Sequence, residues 1–198
     1  MKIINLTKSS TMYTSNVYLV LGHWNTLEDV NTLIDVGRDP SIIFRIISTH
    51  TGVGKKRIEQ VILTHNHYDH TSLLPLIKEK FDPRIYAFSE NITGVDHLIK
   101  DGDQIQVGDS MVEVIHTPLH TTDSVCLYCE KDAILFSGDT PLLFNSSPVP
   151  ENKQFIESLK RLSKRRIRVI YGGHGTPLRC KCNQRIGEAI QQIEDRNV

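Results

Sequence analysis

The sequence predicts an α+β fold in which two sheets pack together with helices outside, a four-layer αββα sandwich. Short apolar runs alternate with helical stretches along the whole chain, hairpin signatures occur in both halves, and no low-complexity linker divides them. With 198 residues the chain can bury a substantial core, so one domain over 1–198 is expected.

Asn16–Leu21 reads as a strand, and Thr32–Asp35 as another that ends on an acid before the turn at Gly37. Asp39-Pro40 reads as a helix start with Asp as N-cap and Pro at the first helical position. Ile42, Ile43, Ile46 and Ile47 give that helix an apolar face, and Gly52 stops it. Val61-Ile62-Leu63 is a continuous apolar run, as expected of a strand buried on both faces. A His-rich loop follows, then a helix marked by Leu74, Ile77 and Phe81, and then a strand at 85–88. Gly108-Asp109 and Lys131-Asp132 each separate two apolar runs and mark hairpins. A helix around 151–164 with Phe155, Leu159 and Leu162 on one face precedes a last strand at 168–171. Ile186, Ile190 and Ile193 mark a closing helix.

Composition excludes several classes. The chain is 39% hydrophobic and 23% charged with zero formal charge, so no global field draws nucleic acid or an anionic membrane. No apolar stretch has the length to span a bilayer, and the N-terminus alternates like strands instead of carrying a signal-peptide core. Cys126, Cys129, Cys180 and Cys182 sit late and paired, unlike a disulfide framework; reduced thiols and a cytoplasmic setting are expected. Arg161, Lys164, Arg165, Arg166 and Arg168 crowd a helix end, where cations complement the helix dipole.

The chemistry concentrates in Thr64-His65-Asn66-His67-Tyr68-Asp69-His70. Residues two apart on an extended segment point the same way, so His65 and His67 can hold one ion together. The loop then turns, and Asp69 with His70 faces a second point. Imidazole nitrogen and carboxylate oxygen suit a borderline Lewis acid such as zinc. Four residues begin two sites and complete neither. His120, Asp139 and His174 each follow an apolar run and precede turn residues, which makes them the candidates for the missing ligands. Five of the nine histidines are then used.

These motifs resemble those of the metallo-β-lactamase-fold hydrolases. The resemblance covers Asn16-x-Tyr18-Leu19-Val20, Leu33-Ile34-Asp35-x-Gly37, Thr64-His-x-His-x-Asp-His70, His116-Thr-Pro-x-His120, Phe136-Ser-Gly-Asp139-Thr140 and Gly173-His174-Gly175. It implies that His65, His67 and His120 hold one divalent ion, that Asp69, His70 and His174 hold another, and that Asp139 bridges them. By the same resemblance Asp35 steadies the ligand loop from behind. Thr71-Ser72 and Leu119 stand where many relatives have glycine, changes that reshape the pocket without removing a ligand. Asp139 occupies a position that is typically Cys in the β-lactam-degrading branch.

The activity implied is hydrolysis of a small-molecule ester by a shared hydroxide on two divalent ions, zinc first, with iron or manganese also accommodated. Asp69 and Asp139 anchor the ions and relay protons. A thioester suits the layout because a thiol, with pKa about 8.5, departs without a dedicated acid. Size and motifs are closest to short glyoxalase II-like hydrolases, although the sequence ends before the helical segment with which glyoxalase II grips glutathione. Arg179, Lys181 and Arg185 follow His174 and are the candidates for an anionic substrate tail. The alternatives on this fold are a mononuclear iron persulfide dioxygenase, which needs only two His and one Asp, and a phosphodiester or lactone hydrolase. A non-catalytic module would be expected to have lost ligands, and none is lost.

Overall fold

Alternation along the central strands decides the layering, because successive residues of a strand face opposite sides. On β2 (Tyr18–Leu21), Leu19 and Leu21 pack with helices while Tyr18 and Val20 face the other sheet. On β9 (Val125–Cys129), Val125, Leu127 and Cys129 face inward, and Cys126 and Tyr128 face outward to a second helical layer. In this computed structural model, which describes residues 1–142 and 152–195, the buried apolar residues form three seams between four layers of secondary structure. The expected αββα sandwich is the observed one.

The first sheet holds β1 (Lys2–Asn5), β2, β3 (Thr32–Ile34), β4 (Gln60–Ile62), β5 (Arg84–Ala87) and β6 (His97–Leu98) in sequence order. β1–β2–β3 pair antiparallel and β3–β4–β5–β6 parallel. Parallel neighbours require a crossover. The helix α1 (Ser41–Ser48) supplies it between β3 and β4, and α2 (Tyr68–Thr71) with α3 (Leu74–Phe81) supplies it between β4 and β5. Ile42, Ile46, Leu74 and Ile77 cover the outer face of this sheet.

The second sheet runs β11 (Val169–Gly172), β10 (Ile134–Gly138), β9, β8 (Ser110–His116), β7 (Gln104–Val107). β7–β8 and β9–β10 form the expected hairpins, and β10–β11 are parallel across α4 (Lys153–Ser163). Phe155, Leu159 and Leu162 of α4 join Ile186, Ala189 and Ile193 of α5 (Cys182–Glu194) over this face.

Some local expectations shift. The first helix begins at Ser41, with Pro40 in the capping position, while the Asp39 carboxylate accepts the Ser41 N–H at 2.9 Å. It ends at Ser48, before Gly52, and Ile47 lies half exposed because the helix buries a narrow stripe centred on Ile42 and Ile46. Asp69 and His70 sit on a one-turn helix instead of an open loop. Position 151 of the expected fourth helix lies outside the described residues.

The basic cluster after α4 is partly consumed internally. Arg161 bonds Asp101 and Glu113, and Arg165 bonds Glu113 and lies over Tyr128. All four cysteines are free thiols; Cys126, Cys129 and Cys182 are buried, and Cys180 is exposed. Cys126 and Cys129 face opposite sides of β9, so the four do not converge.

Candidate metal centre

In open α/β sheets the groups that bind ligands gather beyond the carboxyl ends of parallel strands. The parallel strands of both sheets deliver their loops to one place. Asp35 follows β3, His65 to His70 follow β4, Asp139 follows β10 and His174 follows β11. His120 arrives on the β8–β9 loop. Between the sheets, the Val125 N–H donates to the Thr64 carbonyl at 2.9 Å and ties that loop's strand to the His-rich loop.

The seven side chains converge in overlapping groups. One donor atom from each of His65, His67 and His120 lies within 4.8 Å of the others, and the same holds for Asp69, His70 and His174. His65, His70 and Asp139 form a third such group between them. His120 Nε2 is 2.8 Å from His67 Nδ1. Asp139 Oδ2 lies 3.5 Å from His120 Nε2 and 3.4 Å from His174 Nε2, so one carboxylate reaches toward both triads. Asp69 Oδ2 approaches His174 Nε2 at 3.1 Å.

The polar atoms at the centre fit a cation. His65 Nε2, His70 Nε2 and Asp69 Oδ2 are buried and make no hydrogen bond. Buried polar atoms are ordinarily satisfied, and these three point to electron-pair acceptance by an ion. Titration agrees. Burial, with the His70 charge beside it, pushes His65 down to about 4, leaving a neutral donor. Burial lowers His120 as well. Asp139 is driven upward by burial, but His70, whose Nε2 stands 3.4 Å from Oδ1, outweighs this and holds it at about 2. Burial opposes the charging of His70, yet Asp35 and Asp139 outweigh it and raise the group to about 10.

Asp35 sets which nitrogens face the centre. Its Oδ2 accepts from His70 Nδ1 at 2.8 Å and from Thr64 Oγ1 at 2.9 Å, while its Oδ1 accepts the Thr64 N–H at 2.8 Å. With that hydroxyl donating to Asp35, Thr64 Oγ1 is left to accept from His65 Nδ1, 3.1 Å away. Neutral His65 therefore carries its proton on Nδ1 and presents the Nε2 lone pair inward, and His70, held at Nδ1 by Asp35, would do the same once an ion displaces its second proton. Asp35 does this at φ +59°, a left-handed conformation that Asp tolerates better than most residues.

Close approach of backbone completes the site. A Cβ on Gly173 would stand 2.1 Å from Asp139 Oδ1 and 2.7 Å from the His70 ring. Asn16 clamps the same loop, donating from Nδ2 to the carbonyls of Gly172 and Gly175 at 2.9 Å each. The Tyr18 hydroxyl donates to the Gly172 carbonyl at 2.8 Å.

A cleft of about 460 Å³ opens beside the ligands, lined by His120, Asp139, Thr140, Leu142, His174 and Arg185 among others. Of the three basic residues expected to hold a substrate tail, the structure brings Arg185 here. Arg179 lies over the Tyr171 ring and, with Lys181, lines a separate hollow beside Cys180 and Cys182. Sequence reasoning did not single out Thr64, the clamping role of Asn16, or Tyr13, whose ring stacks on His174 at 5.3 Å. Asn16 had a readable signal, a polar residue at the head of an apolar strand; Tyr13 had none. The charge of Asp69 raises the Tyr13 phenol above its ordinary range, so it stays protonated.

Known proteins share this plan. The chain is 28% identical over 169 residues to an atrochrysone carboxyl ACP thioesterase of Aspergillus fumigatus, covering 83% of this chain and 51% of that protein. It is 30% identical over 168 residues to a hydroxyacylglutathione hydrolase of Hydrogenovibrio crunogenus, covering 82% and 58%. The chain thus spans about half the length of the curated relatives it matches. Among solved structures, a metallo-beta-lactamase family protein of Thermus thermophilus superposes with a TM-score of 0.70 at 19% identity, over 98% of this chain and 79% of that one. Among the described residues, no helix is long and apolar enough to cross a membrane. Residues 11–174 match the sequence profile of the Metallo-beta-lactamase superfamily, and the chain belongs to this superfamily.

Proposed function

We propose that this protein is a dinuclear metallo-hydrolase that cleaves a thioester of a small acyl group. The observation that carries this reading is the pair of triads, His65–His67–His120 and Asp69–His70–His174, with Asp139 reaching both. The donor set is nitrogen and oxygen throughout, which suits two divalent ions, zinc first and iron or manganese next. Such a pair, when bound, lowers the pKa of water to about 7 and polarises an acyl oxygen.

The residues supply the rest. Asp69 and Asp139 would balance the charge of the ions and accept the proton that water loses. Asp35 holds His65 and His70 in the tautomers that leave Nε2 free to bind. The cleft beside His120 and His174 accepts the substrate, and Arg185 at its edge holds an anionic group of the thiol carrier. In the reaction the acyl C–S bond breaks, a C–O bond to the water oxygen forms, and the thiol leaves as thiolate. No acid is required for that departure, since thiols ionise at about 8.5. An amide or alkoxide would require one. The thioesterase and hydroxyacylglutathione hydrolase among the relatives support the same bond class. Four free thiols support a reducing, cytoplasmic setting.

Elemental analysis of the purified protein, coupled to a panel of thioesters, lactones, β-lactams and phosphodiesters, tests the reading. Two ions per chain and turnover confined to thioesters are expected, and His174→Ala should abolish most of that turnover. A single iron with oxygen uptake on glutathione persulfide would replace this reading with the dioxygenase one. Full thioesterase turnover in His174→Ala would remove the two-ion scheme.

A further inference from the structure

The cleft described above is built entirely from the second half of the chain, on the side of β10, β11 and α5. The ligands' other flank belongs to the first half and carries a different chemistry. Tyr13 on the β1–β2 loop stacks on His174 with an interplanar angle of 17° and is 70% exposed. Tyr68, between His67 and Asp69, is 67% exposed. The Arg38 guanidinium lies 5.1 Å from the centre of the Tyr68 ring. Arg38 stands three residues after Asp35, and its backbone N–H donates to Thr14 Oγ1 at 2.9 Å, next to Tyr13. The Ser15 N–H donates to the Asp69 carbonyl at 3.2 Å and brings the same loop against the ligand helix. Two large aromatic faces and one cation thus share a single rim of the metal centre.

The tyrosine side chains of that rim are largely left to solvent. Among the described residues the Arg38 guanidinium pairs with no carboxylate and donates no side-chain hydrogen bond. The contrast with Arg161 and Arg165, each spent on a carboxylate, is direct. Both tyrosines leave most of their surface in water, although aromatic rings ordinarily gain from burial. A guanidinium laid on a ring is preorganised, and its free fork matches a carboxylate bidentately.

We propose that Arg38, with Tyr13 and Tyr68, forms a second anion-selecting subsite that binds a flat acyl group bearing a carboxylate. The inference rests on the thioesterase reading and deepens it. The rim takes the acyl portion while the Arg185 cleft takes the thiol carrier, so the favoured substrate is negatively charged on both sides of the scissile carbonyl. Tyr13 and Tyr68 offer faces for the planar part, and Arg38 offers two donors to the carboxylate. Arg38 is a specificity-determining residue and takes no part in bond breaking.

The test compares two probes that differ only in the para substituent, the 4-carboxybenzoyl and 4-methylbenzoyl thioesters of N-acetylcysteamine, on the metal-loaded full chain. The ratio of their kcat/KM values is the readout, because a variant that folds poorly loses both rates together. The wild type should favour the carboxylated probe. Arg38→Gln should lower that ratio about tenfold, chiefly through KM, as expected for loss of a charge-assisted bidentate contact. Arg38→Lys should recover part of it, since charge remains without the fork. In a parallel arm, calorimetric binding of terephthalate and of 4-methylbenzoate to the same proteins reads the subsite without turnover. Terephthalate should lose about tenfold more affinity than 4-methylbenzoate on Arg38→Gln. If neither thioester is cleaved but the binding ratio shifts, the thioesterase reading fails and the subsite stands. If thioesters are cleaved and neither ratio changes in Arg38→Gln, the subsite is overturned alone.

Discussion

Replacing Asp35 by Asn changes one atom at the back of the site and tests how the ligand loop is organised. Asn tolerates the left-handed backbone at φ +59°, and its amide oxygen can still accept the Thr64 N–H now 2.8 Å from Oδ1. Its amide nitrogen then faces His70 Nδ1, where Asp35 Oδ2 accepts at 2.8 Å. Two donors cannot share that contact, so a neutral His70 would keep its one proton on Nε2, the buried atom that faces the centre 3.4 Å from Asp139 Oδ1 and that an ion would need. The stability loss in the metal-free protein should be about 1–3 kcal/mol, the cost of one mispaired buried polar contact. The loss in metal affinity should be larger, about 10–100-fold, because a partner behind a ligating histidine fixes its tautomer and basicity. Asp35→Ala removes the acceptor for three donors at once and places Ala in a left-handed conformation. It should cost about 4–11 kcal/mol, summing three buried unsatisfied groups of about 1–3 kcal/mol each with about 1–2 kcal/mol of backbone strain. Urea unfolding of the metal-free proteins measures the first quantity, and zinc titration against a competing chelator measures the second. Zinc affinity within twofold of wild type in Asp35→Asn would refute the tautomer argument, whatever the unfolding data show.

Three further outcomes rest on the same geometry. In the metal-free protein, His70 is raised to about 10 from 6.5. Its charged form therefore stabilises the fold fully below about pH 6.5, and that contribution falls away as pH rises toward 10. Unfolding midpoints of chelator-treated protein should decline over this window, and zinc loading between pH 7 and 9 should release a proton measurable in weakly buffered solution. Gly173→Ala should lower zinc occupancy after dialysis to below half, with the circular dichroism spectrum unchanged, because its methyl would overlap Asp139 Oδ1 at 2.1 Å. Asn16→Ala should destabilise the protein by about 2 kcal/mol in thermal melts through two lost carbonyl contacts. It should also weaken the ion held by His174 more than the one held by His120, read as the second step of a zinc titration.

Much of this was legible along the chain because the signals are local. His65, His67, Asp69 and His70 lie within six residues, and the period of an extended segment already divides them between two points. The hairpins at Gly108 and Lys131 and the buried run at Val61 to Leu63 likewise declare themselves by alternation and turn residues. The start of α1 shifted by one residue, and its apolar face proved narrower than four isoleucines suggested, since burial on a helix depends on what lies opposite.

Long-range placement was not legible. That Asp139 Oδ2 reaches both His120 and His174 depends on the packing of segments far apart in sequence. Arg179, Lys181 and Arg185 are near neighbours in the chain, yet of the three Arg185, on α5, lines the cleft, whereas Arg179 and Lys181, before the helix begins, line another hollow. Thr64 passes Asp35's control to His65 through a hydroxyl that no spacing rule distinguishes from any other threonine. Ligand types, their clustering and the layered α+β plan could be read from the chain alone, because periodicity and ligand chemistry act over a few residues. Which nitrogen each histidine presents, which cation meets the cleft and which side chains flank it came from tertiary packing. Those choices depend on contacts such as that of Asn16 with Gly175, made between residues 159 positions apart.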